Sequence, residues 1–433
     1  MTVITPVVML ADSNAREYAD SYTLSQSSVE GPDLRMTDSM RRLATPWNVA
    51  ISRTNLIDPN SLPEGIILDP ACGSGTQLAA LCVALNRPGL GVELSGEAAP
   101  IAAVNIEEVG KWDKANWQIA SRIIWGDSIS ASKIMYSYSE SIGKENPLIS
   151  LLHIDPARPP DAQKHTIDEM EPPLDKLLAA WAPYLQTGNF SAPALILDLS
   201  PRLSEDQQKE VETIVDTIWP EAEKTWQWAT QGRGRIDRLS LWVGAVASPH
   251  QNRLIRLSKT GTPKLLEGSK ETPISDIKSA EIGEHLTIVD PCLIASGLAE
   301  SWKNIATSSE SRWYTITGRR PILITSEPIL SSYHELHIQL ETYDMIHSFV
   351  QISGEVVAHV PQLEHHLISN IAQVAVKVGL SSLKLRCTID PEIQPQMQSE
   401  MDREMRNLTV KNSGNAGFIT EVIGGYVICR STS

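Results

Sequence analysis

Short apolar runs alternate with amphipathic segments from about residue 65 onward. Five runs have the length and composition of buried strands, at 65–69, 90–94, 122–128, 148–156 and 192–201. Apolar residues at helical spacing occupy the segments between these runs and after the last one, at 76–85, 96–110, 174–185 and 204–219. This alternation predicts βαβ units and a mostly parallel sheet, and the uninterrupted apolar strands predict that helices cover both of its faces.

The remaining segments have other patterns. Residues 1–43 are polar and predict a partly irregular N-terminal extension. Residues 225–232 and 237–247 predict an antiparallel pair that closes the sheet within a domain of residues 44–248. The polar stretch 249–283, with its Gly and Pro residues, predicts a linker or a hairpin. Residues 284–433 mix strand-like with helix-like runs and predict a second, α+β domain.

Composition sets limits on location and partners. A chain of 433 residues is too long for one ordinary core, and no apolar run approaches the ~18 residues of a membrane span. The start lacks the basic region of a secretory signal, so we expect a cytoplasmic protein without membrane contact. Its five cysteines form no CxxC pair, which argues against a metal site. The net charge of −15 gives no support to nucleic-acid binding.

The stretch DPACGSGTQ, residues 69–77, lies between the first predicted strand and its helix. Gly73 and Gly75 permit a tight turn and a close approach of a ligand to the backbone. The acid at the start of the loop, Asp69, would repel a diphosphate but attract the positively charged methionine end of S-adenosylmethionine. We therefore expect Asp69, Ala71, Gly73 and Gly75 to bind that methyl donor, the alternative being a plain strand-to-helix turn.

Two further acids end the next two strands. Glu93 can accept hydrogen bonds from both ribose hydroxyls of an adenosine, and Asp127 can meet the adenine amino group. Read alone, Glu93 is a solvated loop acid and Asp127 a turn or helix-cap residue. Their position after the glycine loop favours roles in binding the cofactor.

The fourth strand ends in IDPARPP, with Asp155, Pro156 and Arg158. In a sheet of this plan the strand end faces the reactive methyl group, where Asp155 can hold a nucleophile in line with the sulfonium. Pro156 stiffens the loop. Arg158 can grip a phosphate or a carboxylate of the substrate, or it pairs with a nearby acid.

These four motifs, in this order and spacing, resemble the class I S-adenosylmethionine-dependent methyltransferases over residues 44–247. The finer resemblance is to prokaryotic methyltransferases with a C-terminal THUMP-like domain. Their Asp-Pro-Ala-Arg tetrad corresponds to residues 155–158, their Pro-Pro-Leu segment to 172–174, and their Ser-Pro element to Ser200 and Pro201. Residues 289–302 are similar to the start of the second domain in that family.

The resemblance implies a Rossmann-like sheet domain, a THUMP-like domain and methylation of RNA, either rRNA or tRNA. Enzymes that methylate exocyclic amines usually have an aromatic residue where this chain has Arg158. Two alternatives remain open: a methyltransferase for a small molecule or a protein, and a non-catalytic module that binds adenosine or RNA. The strand-end acids favour a methyltransferase over the non-catalytic module.

Overall fold

A computed structural model of the chain describes residues 5–22, 24–25, 31–156, 166–232, 234–258, 262–330, 339–409 and 414–432. The chain divides into two compact units, which we name unit 1 (residues 1–229 and 237–263) and unit 2 (residues 230–236 and 264–433). This division differs from the domain limits suggested by the sequence. Residues 252–256, expected in a linker or a hairpin, form a strand of the unit 1 sheet.

The strands of unit 1 are β1 (Val7–Met9), β2 (Leu24–Ser25), β3 (Leu34–Arg35), β4 (Ile66–Asp69), β5 (Gly89–Glu93), β6 (Arg122–Trp125), β7 (Ile149–Ile154), β8 (Ala194–Leu199), β9 (Lys224–Thr230), β10 (Arg238–Val243) and β11 (Asn252–Arg256). Its α-helices are α1 (Ser13–Asp20), α2 (Asp38–Leu43), α3 (Trp47–Thr54), α4 (Thr76–Leu85), α5 (Ala98–Asp113), α6 (Ala131–Ile142), α7 (Leu174–Trp181) and α8 (Glu205–Ile218). Short 3₁₀ helices lie at Asn116–Ala120, Ile167–Glu169, Ala182–Tyr184 and Gly244–Val246.

The large sheet of unit 1 has the strand order β1-β6-β5-β4-β7-β8-β10-β9-β11. The five strands from β6 to β8 are parallel, and β10 runs antiparallel to both β8 and β9. The chain leaves β4 toward β5 on one side and later returns to β7 on the other. The switch point therefore lies between β4 and β7, where sheets of this kind bind ligands beyond the carboxyl ends of the strands.

The predicted class of fold is confirmed by this arrangement. Every position of β4, β7 and β8 is buried, as expected for strands covered on both faces. Apolar side chains of α3, α4 and α5 share one core with Ile67, Leu151 and Ile196 of the sheet. Helix α8 begins with a capping box formed by Ser204 and Gln207.

The N-terminal region has more regular structure than its polar composition indicates. Strand β1 pairs antiparallel with β6, Val8 lying opposite Ile124. Helix α1 packs on α5, and Arg16 of α1 forms ion pairs with Glu107 at 2.6 Å and Glu108 at 2.8 Å. Tertiary contacts of this kind order a segment whose own sequence carries little periodicity.

Unit 2 contains β12 (Lys264–Gly268), β13 (His285–Val289), β14 (Ser311–Thr315), β15 (Ile322–Thr325), β16 (Val350–Val360), β17 (Leu380–Leu385), β18 (Asn415–Val422) and β19 (Gly425–Ser431). Its helices are α9 (Pro291–Ala295), α10 (Ala299–Ala306), α11 (Leu340–Ser348), α12 (Ile368–Lys377) and α13 (Gln394–Leu408), with a 3₁₀ helix at His365–Leu367. Seven strands form a sheet in the order β14-β15-β13-β16-β19-β18-β17.

Two helices of unit 2 pack on one end of this sheet. Helices α12 and α13 share a core with β17, β18 and β19. The side chain of Gln398 in α13 donates to the carbonyl of Leu383 at 3.0 Å and accepts from the amide of Leu385 at 2.8 Å. This side chain therefore occupies backbone groups of β17 that face away from the sheet, which protects an edge strand from further pairing.

Candidate active site

The loop between β4 and α4 is a tight turn whose backbone depends on two glycines. Gly73 and Gly75 have φ of +52° and +76°, in the left-handed region that other residues rarely adopt. A Cβ added at Gly73 would meet nothing within 4 Å, so this side of the loop is open. The amide of Cys72 donates to the carbonyl of Val92 at 3.1 Å, which ties the loop to β5.

Glu93, at the end of β5, contacts this loop directly. Its Oε2 accepts a hydrogen bond from the amide of Gly73 at 2.8 Å, and its Oε1 accepts one from the amide of Ser95 at 2.8 Å. Burial raises the pKa of Glu93, and the two amide donors oppose that shift. The carboxylate and the open side of the glycine loop therefore lie together.

Asp127 follows β6, the strand next to β5. Its Oδ1 accepts a hydrogen bond from the amide of Ile129 at 3.1 Å, which is the turn geometry expected of an acid in a loop. Leu94, directly after Glu93, exposes 59% of its surface, and its carbonyl accepts from the indole of Trp125 at 3.1 Å. An exposed apolar side chain thus lies next to Glu93.

Asp69 is buried beneath the loop that it begins. Only 2% of its surface is exposed, and its Oδ1 accepts from the amide of Ala71 at 3.2 Å. Its Oδ2 lies 3.0 Å from Nδ1 of His153 in β7. Asp69 is therefore placed to hold the turn from below, with both of its oxygens already occupied by groups of the protein.

His153 links Asp69 to a second buried acid. Its Nε2 lies 3.2 Å from Oδ2 of Asp198 in β8, and His153 itself is 1% exposed. Burial alone would lower the pKa of His153, but the carboxylates of Asp69 and Asp198 raise it to about 9. The ring is therefore an imidazolium at neutral pH.

Asp198 is completely buried and is the most heavily bonded acid of the site. The guanidinium of Arg53 in α3 reaches its two oxygens at 2.8 Å and 2.5 Å, and the hydroxyl of Ser240 donates to Oδ1 at 2.6 Å. Burial would raise the pKa of Asp198, but Arg53 and Arg238 hold it well below its ordinary value. Asp198 therefore stays ionised inside the sheet.

Arg238, at the start of β10, connects the buried Asp198 to Asp155, which follows β7. Its Nη1 lies 2.7 Å from Oδ2 of Asp155 and 2.9 Å from Oδ2 of Asp198, and its Nη2 donates to the hydroxyl of Thr45 at 2.6 Å. Burial would lower its pKa, but Asp198 and Asp155 raise it above the ordinary value. The side chain of Asp155 is 44% exposed, so it is the member of this network that water reaches most.

The structure thus brings together most of the residues singled out in the sequence. Asp69, Ala71, Gly73, Gly75 and Glu93 surround one turn, Asp127 ends the strand beside β5, and Asp155 and the buried Pro156 end β7. Arg158 lies outside the described residues.

Six residues of the network were missed in the sequence: Thr45, Arg53, His153, Asp198, Arg238 and Ser240. Two of them could have been recognised from the sequence. His153 and Asp198 each interrupt an apolar run that reads as a buried strand, and a buried polar side chain needs a partner. The partners of these two residues are 40 to 145 residues away along the chain, which is why the sequence did not identify them.

The site consists of ion pairs and hydrogen bonds. Among the residues that the structure describes, no group of three or more His, Cys, Asp and Glu side chains is arranged to hold a metal ion. Within the same described ranges, no helix is long and apolar enough to cross a membrane.

Comparisons with known proteins give the fold. No family model matches the chain. A solved structure of a proposed methyltransferase from Porphyromonas gingivalis W83 covers 92% of this chain and 84% of its own, with a TM-score of 0.57 and 12% identity. The structure of Aeropyrum pernix fibrillarin, solved with S-adenosyl-L-methionine bound, covers 46% of this chain and 76% of its own, with a TM-score of 0.28 and 15% identity.

One curated relative is similar over a short stretch. Indolepyruvate C-methyltransferase of Streptomyces griseus is 41% identical over 46 residues, which is 11% of this chain and 14% of the relative. The likeness to the Porphyromonas gingivalis structure extends over nearly the whole chain. The chain therefore shares the fold of that structure, with a Rossmann-like sheet domain followed by a second α+β part.

Proposed function

We propose that this chain is a class I S-adenosylmethionine-dependent methyltransferase that acts on RNA, with rRNA or tRNA as the substrate. The observation that carries the proposal is the contact between Glu93 Oε2 and the amide of Gly73, 2.8 Å apart at the carboxyl ends of β5 and β4, beside the switch point of the sheet. It places the acid that can accept ribose hydroxyls beside a glycine turn that a ligand can approach.

The donor fits the residues of this turn. The side of Gly73 that lacks a Cβ is open, Glu93 supplies a carboxylate, and Leu94 offers an exposed apolar surface for a base. Asp127 lies one strand farther along the same edge and can accept from an adenine amino group. When bound, the donor supplies a methyl group on a positively charged sulfur.

The substrate that accepts the methyl group would bind at the end of β7. Asp155 is held by Arg238 at 2.7 Å while nearly half of its side chain remains exposed, so it can orient a nucleophile from solvent. The catalytic set in this proposal is Asp155, Pro156 and Arg158, with Arg158 as the substrate clamp. The ion pair with Arg238 fixes the direction of the Asp155 carboxylate.

The choice of RNA comes from the resemblance of residues 284–433 to THUMP-like domains, by analogy with THUMP domains that bind RNA. Unit 2 offers several exposed cations, among them Arg319, Lys377 and Arg386. Lys384 lies 3.8 Å from Asp402. RNA binding through such cations would weaken steeply as the salt concentration rises.

Calorimetry with S-adenosylmethionine tests the donor site. We expect the wild type to bind, Glu93→Ala to bind at least about tenfold more weakly because the ribose loses its acceptor, and Glu97→Ala to bind within about twofold. Glu97 is an exposed acid four residues later, so this control removes the same charge. Equal affinities of the wild type and the Glu93 variant would exclude the assigned role of Glu93.

Nucleoside mass spectrometry tests the substrate. Total RNA from cells with and without the protein should differ in one methylated nucleoside, and a copy carrying Asp155→Ala should fail to restore it. A filter-binding series with that RNA should show an affinity that falls with salt. Identical nucleoside profiles would instead favour a small molecule or a protein as the acceptor.

A further inference from the structure

His153 contacts the acids of two neighbouring strands in the interior of unit 1. Its Nδ1 lies 3.0 Å from Asp69 Oδ2 and its Nε2 lies 3.2 Å from Asp198 Oδ2. A neutral imidazole can donate from only one nitrogen, whereas an imidazolium donates from both. Since ionised carboxylate oxygens only accept, both contacts are hydrogen bonds when the ring is protonated.

The two acids differ in their other partners. Asp198 also has Arg53, Arg238 and Ser240. Asp69 accepts from the amide of Ala71, and the ion pair that it forms within the described part of the chain is the one with His153. The positive charge that balances Asp69 in this pairing therefore comes from His153.

We propose that His153 is the positioning residue of the glycine loop: its protonated ring fixes the Asp69 carboxylate, and Asp69 in turn fixes the backbone at Ala71, where the loop turns toward Gly73. This inference rests on the proposed function, because that loop is the proposed donor site. His153 is buried below the loop, so it acts through Asp69.

Loss of the ring would leave Asp69 buried without a countercharge. An unpaired buried charge is costly, so the carboxylate would rotate toward water. That rotation would remove the acceptor that holds the Ala71 amide at 3.2 Å. The loop would then sample other conformations, and the donor would have to select the competent one at the expense of affinity.

The first test compares two variants by calorimetry with S-adenosylmethionine. His153→Asn should bind at least about tenfold more weakly than the wild type, and Ser240→Ala should bind within about twofold. Ser240 is buried and bonds the same Asp198, at 2.6 Å, but does not contact Asp69. Equal affinities for the wild type and His153→Asn, or equal losses in both variants, would overturn the proposal.

The second test needs no variant and so remains valid if His153→Asn fails to fold. The probe is 5′-methylthioadenosine, which lacks the methionine amino and carboxyl groups and so does not titrate in this range, and the wild type is measured from about pH 7.5 to about pH 10. Loss of the ring proton should weaken binding by at least about fivefold as the pH passes 9. A constant affinity across this range would overturn the proposal.

Among the groups around the ring, His153 is the one that changes charge over the pH range of this test. Asp69 of β4 and Asp198 of β8 face its two nitrogens, with Arg53 of α3 and Arg238 of β10 behind Asp198. Gln77 of α4 and Trp242 of β10 line a cavity of about 10 Å³ beside His153 and do not ionise. In the loop itself, burial raises the pKa of the Cys72 thiol well above its ordinary 9.0.

The outcomes separate this inference from the proposed function. If the wild type bound neither S-adenosylmethionine nor 5′-methylthioadenosine, the proposed function would fail and the positioning role with it. If the wild type bound both but His153→Asn bound equally well, or the wild type showed no change with pH, the donor site would stand and only the role of His153 would be lost.

Discussion

Asp155 and Asp198 end neighbouring strands and share the guanidinium of Arg238, yet water reaches them very differently. Asp155 exposes 44% of its side chain, while Asp198 is fully buried and also bonds Arg53, His153 and Ser240. An exposed ion pair contributes little to stability, whereas removal of one partner from a buried pair leaves the other without compensation. The same residue type therefore has a structural role in one strand and an available carboxylate in the next.

This contrast predicts the effect of two matched substitutions on folding. Asp198→Asn should lower the free energy of unfolding by about 3–5 kcal/mol, because two guanidinium groups and an imidazolium lose their shared anion. Asp155→Asn should lower it by less than about 1 kcal/mol. Urea unfolding followed by tryptophan fluorescence measures both. Similar losses in the two variants would contradict the difference in burial on which the catalytic assignment of Asp155 depends.

At the scale of elements, Asn105 joins three segments of unit 1 in one set of hydrogen bonds. Its side-chain amide donates to the carbonyls of Arg35 in β3 and of Ser74 in the glycine loop, both at 2.9 Å, and its oxygen accepts from the amide of Arg35 at 2.8 Å. Asn105 belongs to α5 and is fully buried. One helix residue thus connects the N-terminal region to the loop before α4.

Asn105→Ala should therefore destabilise unit 1 by about 2–4 kcal/mol, since it leaves buried backbone groups without partners. Lys111→Ala is the control on the same helix: its half-exposed ammonium pairs with Glu107 at 2.8 Å, and its loss should cost less than about 0.5 kcal/mol. Urea unfolding of both variants tests the prediction. A loss below about 1 kcal/mol for Asn105→Ala would show that the connection contributes little.

The elements themselves could be predicted far better than the contacts between them. The apolar runs gave β4, β5, β7 and β8 to within two or three residues of their observed limits, because a strand buried on both faces has an apolar residue at nearly every position. Helix α6 was missed although it buries Ile134 and Tyr138. Strand β1 was missed because its three residues are ordered by pairing with β6.

The residues of the candidate site also divide into local motifs that the sequence could predict and distant partners that it could not. The glycine loop and the strand-end acids were recognisable because each is a local motif at a predictable edge of the sheet. The partners of Asp155 and Asp198 were not, since Arg238 is 83 residues from Asp155 and Arg53 is 145 residues from Asp198. Only the completed sheet brings these side chains into contact.

At the scale of the whole molecule, the chain carries a large net negative charge, but the charges inside the site balance each other. The chain has a net charge of −15, but in the network described here Asp69, Asp155 and Asp198 are balanced by Arg53, Arg238 and the protonated His153. Arginine side chains are not deprotonated in proteins. His153 is therefore the group of this network through which mild alkali would act on stability.

The pKa of His153 predicts the direction of that effect. Folding raises it from an ordinary 6.5 to about 9, so the stabilisation is complete below pH 6.5 and is lost as the pH rises through 9. The free energy of unfolding of the wild type should fall by roughly 3 kcal/mol more than that of His153→Gln between pH 6.5 and 9.5. Urea unfolding of both proteins across this range measures the difference. Parallel pH profiles would mean that the ring is neutral in the folded protein, and Asp69 would then need another source of positive charge.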